Sequence, residues 1–339
     1  MISSAGLADL QERYAWLRWA RRWGLSIASL ASGVLTLSLF RKGFDYLPWI
    51  IGYLLLLWLA GVVFAHARDA LEARGRRLAR AAYDYTLQSL YWHLLLFLVP
   101  IYYASATLVS RNGVFFAVLV GVTLLSAIDP WYHTAVGPYP WAVKLLFGFV
   151  LFATLKVALP LVRVPTSWAL VLAAMAGLLA LAPAVRRSFG LPWQMAGLAC
   201  GAAAVLAGLL VWMARAWVPP APLALVRGTF AREVQGLEPV APVTSVSVAE
   251  VQGWGGVMCF TAVAAPAGLR EPVSHVWRKN GRVVARRSLP PVRGGRPGGY
   301  RTFSRLMDLG PDPAGAWRVD VLTADGQLIG RVHLTVSAP

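Results

Sequence analysis

Seven apolar runs in the first 215 residues constrain this chain more than any other feature: 23–40, 46–66, 87–109, 113–128, 142–160, 166–183 and 193–215. A helix needs roughly 20 apolar residues to cross the hydrocarbon core of a bilayer. The runs therefore predict an α-helical polytopic membrane domain of about seven spans. The fourth run is short, which predicts a thin or tilted span or a re-entrant piece. Composition agrees, with 14% charged and 58% hydrophobic residues, where soluble domains carry about 25% charge. The fifteen tryptophans suit the headgroup level.

Orientation follows from the basic residues of the short loops. Arg13, Arg18, Arg21, Arg22, Arg68, Arg74, Arg76, Arg77, Arg80, Arg186 and Arg187 fall in one alternate set, against Arg41, Lys42, Arg111 and Arg163 in the other. This places the N-terminus in the cytoplasm. Seven crossings then put the C-terminal domain outside, in the periplasm of a Gram-negative cell; six would leave it cytoplasmic. Most of the positive charge is thus topological, and nucleic acid is not an expected partner. The stretch 1–22 reads as an interfacial helix, because Trp and Arg suit the headgroups, and 23–40 as a retained signal anchor without a cleavage site.

Ionisable groups at membrane depth are functional candidates, and the spans hold few. Lys144 and Lys156 can snorkel to an interface. His93 reads as a packing histidine or a proton relay. Asp129 ends the fourth run beside Pro130, which stops the helix; its carboxylate caps the next turn or pairs with His93 or His133. Tyr102 and Tyr103 are the remaining intramembrane polar candidates. No chain of acids crosses the membrane, and no inverted repeat is visible, which weakens a transporter reading. Small residues recur at Ala169, Ala173 and Gly177, and at Gly197, Gly201 and Gly208, which predicts close packing of the last two helices.

The C-terminal part is polar and alternating. Val218-Pro219-Pro220-Ala221-Pro222 reads as a stiff linker, and 223–241 as a short helix or a turn. The expected domains are a membrane region over 23–217, a linker over 218–242 and an extracytoplasmic domain over 243–339. Strands are predicted near 243–251, 256–264, 272–279, 282–289, 300–308, 315–323 and 327–336, with hairpin turns at Asn280-Gly281 and Asp325-Gly326. Seven short strands at this spacing predict an all-β immunoglobulin-like sandwich. Alternation puts Val273, His275 and Trp277 on one core face, and Trp317, Val319 and Val321 on another. His275 reads as a core histidine satisfied by hydrogen bonds. Cys200 and Cys259 are not expected to meet.

The longest charge bias, over 278–305, holds nine basic residues and no acid. Within it, 290–299 reads as a flexible loop. Arg286, Arg287, Arg293, Arg296, Arg301 and Arg305 form the candidate binding face for anions, since basic residues near a membrane are drawn to anionic groups. Metal and enzyme signatures are missing: no G-x-x-x-x-G-K-[ST], H-E-x-x-H, G-x-S-x-G or C-x-x-C occurs, and the five histidines are scattered. No catalytic residue, metal or cofactor is expected.

Ser274-His275-Val276-Trp277, Tyr300-Arg301-Thr302-Phe303-Ser304 and Gly315-Ala316-Trp317-Arg318-Val319 resemble the bacterial domain of unknown function numbered twenty-nine fourteen. Leu98-Val99-Pro100-Ile101-Tyr102-Tyr103 and Asp129-Pro130-Trp131-Tyr132 make the membrane half similar to the module of unknown function fifty-nine twenty-four, which often precedes it. The resemblance implies a bacterial envelope protein and carries no catalytic residues. The first expectation is a non-enzymatic inner-membrane protein, a subunit or scaffold of an envelope complex. Its partners would be membrane lipids and either a protein or an acidic envelope glycan. The alternative is a transporter or intramembrane enzyme for a lipid or lipid-linked sugar, built on His93, Tyr102, Tyr103, Asp129, His133 and Lys156.

Overall fold

The structure, a computed structural model, describes residues 77–338 and, before them, Gly52, with side chains from Gln88 onward. The expected spans 23–40 and 46–66 and the interfacial helix over 1–22 lie outside the described residues. The chain forms two compact units. One holds the described residues up to Val99 together with 118–154 and 177–200; the other holds 100–117, 155–176 and everything from Gly201 on.

Among the described residues from Arg77 on, seven α-helices precede the β-region: α1 (Arg77–Ser105), α2 (Arg111–Ala127), α3 (Asp129–Ala135), α4 (Pro140–Leu161), α5 (Thr166–Leu179), α6 (Ala182–Phe189) and α7 (Trp193–Met213). Prolines set their starts, at Pro140 in α4 and Pro183 in α6, where a missing N–H costs nothing. Gly190, at φ 63°, ends α6 in the left-handed conformation. Three stretches among the described residues are long and apolar enough to cross a membrane: Pro140–Leu161, Thr166–Phe189 and Trp193–Met213. The pair α2–α3, bent by 100°, can count as a fourth. The expectation of seven spans is therefore not met here. The third expected span is helical, but Gln88, Ser89, His93 and its aromatic hydroxyls dilute its apolar character. Within the helical region that helix is largely interior, with Leu94, Leu95, Leu98 and Tyr102 fully buried.

Small residues pack α5 on both sides, in each unit separately. A Cβ on Gly177 would lie 3.0 Å from the Gly148 carbonyl oxygen of α4. Gly208 of α7 meets Val171 and Met175 of α5 at 3.2 Å. Gly197 and Gly201, expected in the same seam, face open space among the described residues.

Nine strands build two sheets: β1 (Ala224–Gln235), β2 (Glu238–Val243), β3 (Ser245–Ser247), β4 (Val257–Ala264), β5 (Arg270–Lys279), β6 (Arg282–Arg293), β7 (Tyr300–Leu306), β8 (Gly315–Thr323) and β9 (Leu328–Ser337). Their orders are β2-β1-β4-β7 and β3-β9-β8-β5-β6. The short β3 pairs parallel to β9 while β1 joins the opposite sheet, and β4-β7 oppose β9-β8-β5. That is the strand order of an immunoglobulin-like sandwich. Trp277 and Trp317 fill the main core with Phe230, Cys259, Val319 and Val332. A second core cluster holds Val263, Val273, Val292 and Val321. Cys259 and Cys200 are buried free thiols.

Several boundaries differ from expectation. The linker over 218–242 is largely absent: Val218, Ala221 and Leu223 are buried, and β1 and β2 occupy 224–243. The predicted strand 243–251 is three residues of β3 followed by a helix, α8 (Val248–Gly253), because Ser247 and Glu250 form a capping box. The predicted loop 290–299 begins only after Arg293. Pro290 and Pro291 are tolerated in β6 because it is an edge strand. A side chain on Gly294 would meet the Pro266 carbonyl oxygen at 1.7 Å, so this turn is tight. Asn280-Gly281 has positive φ at both positions (47° and 84°), as a type I′ turn needs; in Asp325-Gly326 only the glycine does.

Candidate functional site

The polar groups of the sandwich interior sit between the sheets. His275 on β5 is buried, with Nε2 2.9 Å from Thr261 Oγ1 on β4 and Nδ1 2.8 Å from Ser304 Oγ on β7. Trp277 Nε1 donates to the same Ser304 oxygen at 3.0 Å. A neutral ring with its proton on Nε2 lets Ser304 donate to Nδ1, so every group is satisfied. Burial holds the His275 pKa down to about 4, which keeps it neutral. It is a core histidine, as expected, and it touches no solvent.

A second set lies where strand ends meet helix ends in the same unit. Glu271, at the start of β5, is buried and accepts from the Thr166 N–H of α5 at 3.4 Å. Burial raises its pKa, with Thr166 and Lys156 opposing the rise. Lys156 of α4 is fully buried and donates to the carbonyls of Thr166 (3.1 Å) and Ala221 (3.4 Å). It does not snorkel. Asn112 Nδ2 donates to Leu328 O (3.0 Å), Arg215 Nε to Asp325 O (2.7 Å) and Gln327 Nε2 to Val218 O (2.9 Å). A carboxylate at the N-terminus of α5 and an ammonium near the C-terminus of α4 both complement helix dipoles. These residues fasten the sandwich to the helix ends, and sequence reasoning missed all but Lys156. The signal available was Glu271, an acid in a strand otherwise rich in apolar and basic residues.

In the helical unit, Pro130 lacks the N–H that would bond to Ser126 O four residues back. Gln88 of α1 supplies the missing donor: its Nε2 bonds to Ser126 O (3.1 Å) and to Asp129 Oδ1 (2.9 Å). The Gln88 Oε1 atom is buried without a hydrogen bond. His93 Nδ1 lies 2.7 Å from Ser89 O, one turn back. His133 and Tyr103 are exposed; Tyr103 is 5.7 Å from Phe116 between ring centres. Tyr102 is buried against Phe115 in the other unit. Of the six candidates, His93, Asp129 and His133 belong to one unit and Tyr102, Tyr103 and Lys156 to the other.

The six candidate arginines are divided as well. Arg301 pairs with Glu238. Arg305 donates to the Trp254 and Gly255 carbonyls. Arg296 lies over the Tyr300 ring at 4.9 Å. Arg286 and Arg287 are neighbours on β6 and so point to opposite faces; they and Arg293 are exposed. A tighter constellation, not anticipated, lies on the outward face of the five-stranded sheet. Arg278 Nε meets Asp320 Oδ2 at 2.8 Å, Arg331 Nε meets Oδ1 at 3.0 Å, and Arg318 Nε stands 3.5 Å from Oδ1. The period-2 alternation of Arg318-Val319-Asp320 carried this signal. Among the described residues, no three of His, Cys, Asp or Glu converge as a metal set.

Comparison with curated proteins finds no match. Among solved structures, an immunoglobulin-like protein from Pseudomonas aeruginosa is 13% identical, covering 32% of this chain and 91% of its own, with a TM-score of 0.21. A protein family of unknown function, DUF2914, matches residues 270–336, from β5 to β9. Another, DUF5924, matches residues 6–256, so the junction of the two falls inside the sandwich and not at the end of the helices. With about three quarters of its length matched, the chain belongs to the family of unknown function DUF5924.

Proposed function

We propose that this is a non-enzymatic, multi-pass inner-membrane protein, the anchored binding subunit or scaffold of an envelope complex. Seven helices would cross, including 23–40 and 46–66, with the N-terminus cytoplasmic and the β-sandwich periplasmic. The sandwich would bind a protein or an anionic envelope polymer or lipid through its arginines, of which Arg286, Arg287 and Arg293 carry no hydrogen bond or ion pair among the described residues. The single observation behind this reading is the division of labour among polar groups. Buried ones are spent on packing and fastening, and those left at the sandwich surface are mainly cationic.

The transporter or lipid-enzyme reading draws on one observation, the break between α2 and α3 with Gln88 and Asp129 beside it, since broken helices recur at transport sites. It is the weaker reading because Gln88 is already committed to repairing that break.

Two experiments test the proposal. A cysteine in place of Ser288, exposed on β6, is expected to react with a membrane-impermeant maleimide in spheroplasts; protection until lysis would put the sandwich in the cytoplasm. Replacing Arg286, Arg287, Arg293, Arg296, Arg301 and Arg305 with glutamine is expected to reduce crosslinked, co-purifying material. An unchanged yield rejects that surface.

A further inference from the structure

The arginines around Asp320 lie in two adjacent rows on the outward face of the five-stranded sheet. Register sets Arg278 beside Arg318 and His333, and sets Arg286 beside Val276, Asp320 and Arg331. Three guanidiniums share one carboxylate, which leaves a local excess of two positive charges. Each uses its Nε toward Asp320, so the Nη groups remain for another acceptor; Arg278 Nη1 alone is otherwise bonded, to Gly281 O at 3.1 Å. Arg318 Nε is buried and makes no hydrogen bond. An arginine fork matches a carboxylate or phosphate in two-point geometry. Here the forks are held in place before any ligand arrives, which reduces the ordering cost of binding.

We propose that this face binds an acidic glycan, a polymer bearing carboxylates or phosphates. The proposal rests on the extracytoplasmic placement and anion preference given above, but its contacts are Arg278, Arg318 and Arg331, with Arg286 only a neighbour in the same row. Three observations select a glycan. The face presents no Phe, Tyr or Trp, which are the usual anchors of a protein interface. The β-region itself, with 14 Lys+Arg against 8 Asp+Glu over 219–339, is net positive, which opposes pairing with a second copy. Height argues against the lipids around the protein's own helices. The β8–β9 hairpin sits on the end of α7 through Arg215 and Gln327, and Asp320 and Arg331 are each three residues up their strands from Thr323 and Leu328. At about 3.3 Å per residue the cluster lies roughly 10 Å along the strands from that contact, more than the roughly 5–7 Å of a headgroup layer.

The test uses the full chain in phosphatidylcholine nanodiscs, with a carboxylated oligosaccharide, oligogalacturonate, as the probe. Saturable binding is expected that weakens steeply with salt. Arg318→Gln and Arg331→Gln should each weaken it about tenfold, the loss of a charge-assisted contact; R293Q/R296Q should leave it unchanged. Asp320→Asn frees the arginines and should bind at least as tightly, whereas a merely structural ion cluster would lose binding with its acid. If R331Q fails to fold, R318Q and D320N still decide, because Arg318 is the most loosely held. No binding, or binding indifferent to R318Q, overturns the proposal. So does tighter binding of poly-glutamate, which would indicate a protein partner, or cluster-dependent adsorption to phosphatidylglycerol vesicles without glycan binding. Co-purifying material that survives R318Q/R331Q but not the six-arginine variant overturns this site alone and leaves the proposed function standing.

Discussion

The sandwich and the helices solve the same problem, buried polar groups, in opposite ways. In the sandwich, side chains satisfy one another: Thr261, His275, Trp277 and Ser304 close a network across two sheets whose backbones are already paired. In the helical region, side chains satisfy backbone. Gln88 donates to the Ser126 carbonyl that Pro130 orphans, and Ser105, Thr123, Ser126 and Thr154 each bond back to a carbonyl four residues earlier. The difference follows from the solvent. In the proposed membrane setting an orphaned backbone group has no water to turn to, so Gln88 is recruited to one, while the Ser and Thr hydroxyls find acceptors within their own helices. A sheet leaves no such orphans in its interior, and polar side chains there can connect layers.

The sharpest way to break this comparison is to remove the aromatic centre of the sandwich. Trp277 is fully buried, packs edge-on to Phe230 at 5.6 Å and donates to Ser304. Trp277→Ala is expected to cost about 3–5 kcal/mol, a large share of the roughly 5–15 kcal/mol that holds an ordinary domain folded. Denaturant unfolding followed by near-UV circular dichroism checks it. A cost below about 1 kcal/mol would mean that the inter-sheet network does not hold the layers.

His275 gives the next largest effect. Its pKa falls from 6.5 to about 4 on folding because burial disfavours the charged ring. The unfolded chain therefore binds more protons between those values, and stability rises with pH there. The contribution is fully present above pH 6.5 and is lost as pH falls toward 4, by at most about 3 kcal/mol. Unfolding curves across that window should show the slope in the native chain and lose it in His275→Gln. An equal slope in both would place the titration elsewhere.

Gln88→Leu sharpens the helical side of the comparison. It strips the donor from Ser126 O, and an orphaned buried carbonyl costs about 1–3 kcal/mol. Thermal denaturation in detergent should show the loss, while Gln88→Glu, protonated at low pH, should recover part of it. If leucine is neutral, the break at Pro130 is repaired by something other than Gln88.

How much of this could be read in advance differs between the regions. Six of the seven predicted strands lie within a few residues of their places, β4 to β9, because period-2 alternation and turn residues are local signals. The motif residues His275, Trp277 and Ser304 prove to be one hydrogen-bonded cluster that joins the two layers. The helical region was harder to read. Its interior helix α1 carries Gln88 and His93 because other helices bury it, and hydropathy cannot separate that from a poor span. The Glu271–Thr166 and Lys156–Ala221 contacts join residues 105 and 65 positions apart, which no local pattern reports. Strands β1 and β2 were obscured by Pro222, Pro239 and Pro242, which are compatible with a strand start and an edge strand.

The smallest effect tests the most local device. Ser247 accepts from the Glu250 N–H at 3.3 Å, and Glu250 returns the bond to the Ser247 N–H at 2.8 Å. The pattern S-x-x-E stands openly in the sequence, yet the strand-like alternation of Ser245-Val246-Ser247-Val248 concealed it. Ser247→Ala is expected to cost about 1 kcal/mol, with amide exchange rising over Val248–Gly253 and unchanged in β9, although β3 pairs with it. If protection along Thr335–Ser337 falls as well, the cap also fixes the β3–β9 register. The short parallel strand would then depend on the helix that follows it, which is a coupling between local and long-range order that the helical region does not offer.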